Sequence, residues 1–276
     1  MLVCASVRLW LRQRFGSNLG VLPFIDFFGR GVSSYALLGL LGSFAAIIVA
    51  GFRCQKYGLS RQEPVYIGLF AGTGLLLGGV LMFSFTQIPN AWQAREFFLQ
   101  YPVLFLSRLF GGMVFYGGLF GALIGVYVYS RFFKSSFDVA MKLAVPVFPL
   151  AHFFMRLGCF AAGCCYGLPH PMGIAFTQSL GAPNNVPLIP VQLFEALANL
   201  LIFVALWIYT KKERHWQTVL ALYAFLYALV RFSLEFLRGD EARGIIFGLP
   251  TSQFISAVVL LACLAYFMKF KRVLSA

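Results

Sequence analysis

The chain has 276 residues, of which 60% are hydrophobic and 17% aromatic but only 11% charged, far below the roughly one-quarter charged share of a water-soluble domain. Its net charge of +13 sits in short basic clusters between apolar runs, not in one continuous stripe. That arrangement excludes nucleic acid as the implied partner and makes the charge a signal of membrane topology.

The first stretch, 1–33, interleaves Arg8, Arg12, Arg14 and Arg30 with Leu9, Trp10, Leu11 and Phe15, the pattern of an amphipathic arm lying on a membrane surface. No cleavable leader is expected, because Cys4 has too little chain ahead of it for an apolar signal core. Apolar runs of about 20 residues, enough to cross a bilayer as a helix, then follow at 35–52, 64–83, 112–130, 139–162, 191–209, 216–237 and 251–270. Unpaired backbone in lipid costs several kcal/mol per group, so each run is expected to satisfy itself as a helix. The runs are continuous and not alternating, which excludes a strand barrel. The expectation is an all-α polytopic membrane protein: seven transmembrane helices in one domain, 34–276, with interfacial helical arms.

Between the second and third runs, segment 90–110 carries Trp92, Arg95, Glu96, Phe97, Phe98 and Tyr101, which suits one helix lying in the interface. Gly68, Gly72, Gly74, Gly78 and Gly79 on the second run and Gly117, Gly118, Gly121 and Gly125 on the third supply the small residues that let two helices approach closely. Basic clusters follow the first run (Arg53, Lys56, Arg61), the third (Arg131, Lys134, Lys142), the fifth (Lys211, Lys212, Arg214) and the seventh (Lys269, Lys271, Arg272). The positive-inside rule places all four in the cytoplasm, with the N-terminus outside and the C-terminus inside.

Ionisable residues inside the runs converge on the outer leaflet. Arg156 lies near the outer end of the fourth run, Glu195 near the start of the fifth, and Arg231, Glu235 and Arg238 toward the end of the sixth. Each such group at mid-membrane costs roughly 2.5–3.5 kcal/mol, so function is the default expectation. Spacings of three and four put Arg231, Glu235 and Arg238 on one helix face and Gln192 with Glu195 on another. One reading is a pair of ionic staples, Arg156–Glu195 and Arg231–Glu235. The other starts from the surplus of arginine over glutamate, which leaves a positive charge for a phospholipid headgroup, since the planar guanidinium fork binds phosphate in bidentate fashion. His152, four residues before Arg156, shares its face and offers a hydrogen bond to a phosphate oxygen.

Cys54 and Cys263 stand alone and read as small buried hydrophobes. Cys159, Cys164 and Cys165 leave four readings open: packing, a disulfide, a metal site, or a nucleophile or lipid relay. A regular helix would hold Cys159 and Cys164 beyond the Cα separation of about 7 Å that a disulfide permits, so a bridge requires the chain to unwind after Ala162. C-x4-C-C, with His152 or His170 as a further ligand, is not a usual zinc spacing, and neither metal nor cofactor is expected. His170, between two prolines, reads as a loop residue, and His215 as solvated.

"MRLGCFAAGCCYG" (155–167), "PVQLFE" (190–195), "RFSLEFLRGDEARG" (231–244), "TSQFIS" (251–256) and "GGMVFYGG" (111–118) together resemble the prolipoprotein diacylglyceryl transferase family. The resemblance implies a multi-pass protein of the bacterial inner membrane with a cavity open to the outer leaflet. It also implies a reaction, transfer of the diacylglyceryl group of phosphatidylglycerol to the thiol of a lipoprotein precursor, with glycerol phosphate released. Carried over by position, Arg156 and Arg231 are the essential arginines, Tyr35 and Gly167 line the cavity, and Gln192, Glu195, Glu235 and Arg238 complete the polar shell. Glu195 is the favoured aid to thiol deprotonation. The chain departs from the family pattern where Tyr116 replaces a histidine, where Cys159 and Cys164 replace an asparagine and a glutamate, and where Ile189 replaces a histidine. These departures mark a diverged member, with Tyr116 as a hydrogen-bond donor that orients substrate. The competing reading is a lipid-binding or thiol-redox membrane protein that kept the cavity and lost the acceptor chemistry.

Overall fold

A computed structural model describes residues 23–27, 30–93, 100–240, 245–246 and 248–275. Among them are eight α-helices: α1 (Ser34–Cys54), α2 (Glu63–Gln93), α3 (Pro102–Phe110), α4 (Phe115–Phe132), α5 (Phe137–Ala162), α6 (Val191–Tyr209), α7 (Trp216–Glu235) and α8 (Thr251–Ser275). All but α3 coincide with the expected spans. Six of these seven are long and apolar enough to cross a membrane; α4 is not among the six, because Tyr127, Tyr129, Ser130, Arg131 and its glycines dilute its apolar character. Along α1, Leu40, Phe44, Ile48 and Phe52 form an exposed stripe at four-residue spacing, 77% exposed at Phe52. Such a stripe is stable where the solvent is lipid.

Among the described residues are three short antiparallel strand pairs that hydropathy did not indicate: β1 (Phe24–Phe27) with β2 (Arg30–Ser33) ahead of α1, β3 (Pro169–Ala175) with β4 (Pro187–Leu188) between α5 and α6, and β5 (Ile245–Ile246) with β6 (Leu249–Pro250) between α7 and α8. The described end of the expected 1–33 arm is therefore a hairpin, with Phe24 opposite Ser33 and Phe27 opposite Arg30, and not a helix. Its earlier residues, Arg8 to Phe15 included, lie outside the described residues. The interfacial helix expected over 90–110 is also revised. α2 runs on to Gln93, because the hydroxyls of Ser84 and Thr86 donate to the carbonyls of Val80 (2.9 Å) and Phe83 (2.6 Å) and so cover their own polarity inside the helix. A separate helix, α3, then starts at Pro102, which suits a first helical position. Arg95, Glu96, Phe97 and Phe98 lie outside the described residues.

The chain divides into two compact units, Ile47–Val145 and Met1–Ala46 with Pro146–Ala276. In the first, α2 and α4 meet backbone to backbone along the glycine seam. A Cβ added at Gly74 would strike the carbonyl oxygen of Gly121, one at Gly121 would strike that of Gly74, and one at Gly78 would strike that of Gly117. This is the close packing that the glycine spacing predicts.

In the second unit, α1 packs on α5 through bare positions: a Cβ at Gly42 would lie 3.0 Å from the Ala151 carbonyl oxygen, and one at Gly158 would lie 3.2 Å from Tyr35 Cα. α7 neighbours both α6 and α8. α5 continues through Pro146 and Pro149, each of which removes one rung of its hydrogen-bond ladder. The connection from α5 to α6 has a small core of its own, with Phe176, Ala182 and Leu188 buried against Phe160, Tyr166 and Val186.

Replacing Gly121 by leucine is expected to destabilise the first unit by at least the 1–3 kcal/mol, roughly, of an overpacked core. Gly72→Ala, which meets nothing within 4 Å, is expected to be neutral or mildly stabilising. Melting temperatures of the two variants in detergent check the pair.

Candidate functional site

The site begins where α5 stops. Gly163 turns left-handed (φ 68°), its N–H bonds to the Phe160 carbonyl at 3.1 Å, and the Cys164 N–H reaches back to the Cys159 carbonyl at 3.0 Å. These are the two bonds of a Schellman cap. A side chain is excluded at this glycine for a second reason, since its Cβ would lie 2.9 Å from Ser179 Cα. Cys165 then adopts φ 58°, a region that residues with side chains seldom occupy. The double reversal folds Cys164 and Cys165 back under Cys159, bringing all three Sγ atoms within 4.8 Å of one another. The unwinding that the spacing demanded does occur, and no disulfide joins any two of the three. Hydrogen bonds from Cys159 and Cys164 hold the Cys165 thiol well below its ordinary value, against burial and with help from Arg156 and Arg238. Cys164 is pushed up to about 11: its bond with Cys159 favours the thiolate, but its bond with Cys165 and burial outweigh that.

The next residues tie three helix ends together through backbone alone. The Gly167 N–H bonds to the Ile189 carbonyl (3.0 Å), the Ile189 N–H to the Leu168 carbonyl (3.0 Å), the Leu168 N–H to the Leu237 carbonyl (2.9 Å) and the Gly239 N–H to the Tyr166 carbonyl (3.1 Å). Both glycines are required by proximity: a Cβ at Gly167 would sit 2.5 Å from the Ile189 oxygen, and one at Gly239 would sit 2.6 Å from the Gly167 oxygen. Gly167 is thus the crossing point of a clasp between the end of α5, the start of α6 and the end of α7. Those are the three places that carry the ionisable residues.

Their contacts are specific. Arg156 Nη2 lies 2.7 Å from Glu195 Oε1, and Glu195 is fully buried. The Tyr227 hydroxyl donates to the same oxygen at 2.8 Å and accepts from Arg156 Nη2 at 3.3 Å. Arg156 Nε donates to His152 Nε2 at 3.3 Å, so that nitrogen carries no proton, and the ring hydrogen sits on Nδ1, 3.1 Å from the Tyr223 hydroxyl. His152 is thus buried against Arg156 and Tyr223, on the face of α5 that it was expected to share with Arg156. Arg231 Nη2 pairs with Glu235 Oε2 at 2.9 Å, one helical turn away. Arg238 meets Asp240 through Nε and Nη2, both at 2.8 Å, with its Nη1 3.8 Å from Glu195 Oε2. Burial opposes the charge of Arg238, but Asp240 and Cys165 outweigh it and raise its pKa. Gln192 Nε2 donates to the Cys164 carbonyl at 2.7 Å and links the thiol turn to this network.

Both ionic staples are present, and among the described residues a third carboxylate joins the cluster. Asp240, just beyond α7, is the carboxylate overlooked in the sequence. With it, Arg156, Arg231 and Arg238 face Glu195, Glu235 and Asp240, while Arg243 lies outside the described residues. What the cluster offers instead is unused hydrogen-bonding capacity. Arg231 Nη1, Arg238 Nη1, Gln192 Oε1 and Glu195 Oε2 are buried without a hydrogen-bond partner among the described residues. Leaving such a group unsatisfied costs about 1–3 kcal/mol, and more for a charged one.

Tyr35 opens α1, 39% exposed, packed on Gly158 beside the helix that carries Arg156 and Cys159. Tyr116 opens α4 in the other unit, and its side chain lies outside what the structure describes. His170, expected in a loop, is exposed on strand β3 and accepts the Met172 N–H, while Cys54 and Cys263 are buried singly. The sequence reading missed Tyr223, Tyr227 and Asn199, the last donating to the Glu195 carbonyl at 2.8 Å. A signal existed: Tyr223, Tyr227, Arg231 and Glu235 recur every fourth position on α7.

Residues 24–269 match the family described as prolipoprotein diacylglyceryl transferase. Phosphatidylglycerol–prolipoprotein diacylglyceryl transferase of Clostridium tetani (strain Massachusetts / E88) is 37% identical over 236 residues, 84% of this chain and 90% of the relative. The protein named phosphatidylglycerol–prolipoprotein diacylglyceryl transferase 2 of Clostridium perfringens (strain 13 / Type A) is 31% identical, covering 86% and 90%. A relative of the first name from Nitrosomonas europaea is 30% identical, covering 84% and 83%.

Tyr227→Phe removes both hydrogen bonds that its hydroxyl makes to the Arg156–Glu195 pair. It is expected to lower stability by about 1–3 kcal/mol, read as a lower melting temperature in detergent. Tyr35→Phe, at a half-exposed ring, is expected to leave the temperature unchanged.

Proposed function

Since the chain belongs to the prolipoprotein diacylglyceryl transferase family, we propose that this multi-pass membrane enzyme moves the diacylglyceryl group of phosphatidylglycerol to a thiol, that of a prolipoprotein cysteine. A carbon–sulfur bond forms at the glycerol carbon, the bond from that carbon to the phosphate oxygen breaks, and glycerol phosphate leaves with the electron pair. Negative charge grows on the leaving phosphate, so prepositioned cationic donors in a dry site accelerate the step.

The observation that carries this reading is a pair of buried donors that lack a hydrogen-bond partner among the described residues: Arg231 Nη1, and Arg238 Nη1, which has only a 3.8 Å ion-pair contact with Glu195 Oε2, in the network that contains the Arg156–Glu195 pair. A phosphodiester supplies the missing acceptors, and a guanidinium presents its donors in the matching plane. A phosphate entering a neutral cluster adds one negative charge. Protonation of Glu195 at Oε2 offsets it and frees Arg156 to turn toward the phosphate, and the acceptor thiol is the source of that proton. Glu235 holds Arg231 in place, His152 and Tyr227 hold Arg156, and the Gly167 clasp keeps the three helix ends in register. Tyr35 borders the entrance. The basic clusters at the ends of α1, α4, α6 and α8 support an outside N-terminus and a cytoplasmic C-terminus; in this reading the clasped helix ends lie in the outer leaflet of the inner membrane.

Purified protein given phosphatidylglycerol labelled in its headgroup and a precursor peptide with one cysteine is expected to release glycerol phosphate and lipidated peptide in equal amounts. Arg231→Lys is expected to lower kcat by about 10²–10³-fold, the usual effect of removing one transition-state donor, with a smaller change in KM. Bound lipid with neither product would refute the transferase reading.

A further inference from the structure

The three thiols at the end of α5 border the phosphate half of the site, with Cys165 beside Arg238, but the transfer step derived above gives them no role of their own. We propose that Cys159, Cys164 and Cys165 form a site for a thiophilic divalent cation of the zinc type, which leaves a fourth position where the acceptor thiol binds as thiolate.

The three Sγ atoms already lie within 4.8 Å of one another. Thiolates about 2.3 Å from a tetrahedral ion stand roughly 3.8 Å apart, so closing on an ion takes side-chain shifts of about 1 Å or less. The backbone is shaped for this convergence. The Schellman cap at Gly163 reverses the chain, Cys165 holds a left-handed conformation to turn its side chain inward, and Gln192 grips the Cys164 carbonyl at 2.7 Å. A packing role needs none of these devices, and a disulfide would use two sulfurs and give no reason for the third. Cys159 is 7% exposed, whereas Cys164 and Cys165 are only half-buried, so the set is closed toward the helix and open toward the loop. Three protein ligands with one open position is the arrangement of a catalytic zinc, whereas structural zinc is held by four.

The open position has a use at this location. An ion of this type strips the proton from a thiol bound to it, and the acceptor half of the assignment rests on the transferase reading above. The acceptor S–H gives its proton to Glu195 Oε2, the metal-held sulfur attacks the glycerol carbon, and the carbon–oxygen bond to phosphate breaks. Glycerol phosphate takes the proton from Glu195 as it leaves. The product thioether is a neutral, weaker ligand and departs from the ion. No electrons are exchanged with any other partner.

The test uses the whole protein, purified under reducing conditions and loaded with Zn²⁺ or, as a spectroscopic probe, Co²⁺. One Zn²⁺ per chain is expected, together with a sulfur-to-cobalt charge-transfer band and the visible bands of tetrahedral Co²⁺. Addition of a precursor peptide bearing cysteine is expected to shift those bands, whereas the same peptide bearing serine leaves them unchanged. Cys164→Ser and Cys165→Ser are each expected to lose the charge-transfer intensity of one sulfur. If the unaltered protein, its thiols verified as reduced, takes up neither ion, or if two of the thiols prove to be joined as a disulfide, the proposal is wrong. It is equally overturned if chelator-stripped protein transfers lipid at the full rate, an outcome that leaves the transferase reading standing. A cobalt spectrum that responds to the cysteine peptide without any transfer supports the metal site and defeats the transferase reading instead.

Discussion

A guanidinium cannot remain in an apolar environment without an anion at contact distance, and this requirement governs the second unit of the chain. Arg156 on α5 and Glu195 on α6 lie 2.7 Å apart with the glutamate fully buried. Separating such a pair strands a charge at a cost of several kcal/mol, even though forming it adds little net stability. Its contribution is to fix position. Helix ends remote in sequence must be held to within a fraction of an ångström, and the backbone clasp at Gly167 and Gly239 holds them there. Neither glycine has room for a methyl group, so the clasp and the ion pair constrain each other.

The charge balance of the cluster changes how lipid recognition is understood. Three arginines against two glutamates would draw a phosphate by simple attraction. With Asp240 present the charges among the described residues balance, and attraction gives way to unfilled hydrogen bonds there on Arg231 and Arg238 and an unfilled acceptor on Glu195. A neutral cluster with directional vacancies discriminates by geometry more than by charge. Under the proposed mechanism it also couples the two substrates, because the proton that leaves the acceptor sulfur is the one that would let Glu195 release Arg156.

Much of the fold is legible in the sequence, because a helix in lipid announces itself by length and apolarity; the ends of α5 and α6 coincide with the ends of their apolar runs. The glycine seam of α2 and α4 is legible for the same reason, since residue spacing alone specifies it. What escapes is structure set by individual hydrogen bonds. α2 overruns its apolar stretch because two hydroxyls cover themselves, and the hairpins are too short to leave a periodic trace. In the site, Arg156, Glu195, Arg231, Glu235 and Gln192 stand out as polar residues in apolar surroundings. Tyr223 and Tyr227 do not, because a tyrosine reads as apolar until its hydroxyl is found against Glu195. Asp240 escapes because it lies past the end of its helix, where an acidic residue ordinarily means solvent. The meeting of three thiols escapes because it depends on left-handed turns at Gly163 and Cys165, and only the first of these is a glycine.

The most direct measurement is an experimental structure of the protein with phosphatidylglycerol bound in a lipid environment. Phosphate oxygens about 3 Å from Nη1 of both Arg231 and Arg238, with Arg156 drawn toward the headgroup, are the expected result. A headgroup bound elsewhere, with the three arginine–carboxylate pairs closed and both Nη1 atoms still lacking acceptors, would contradict it.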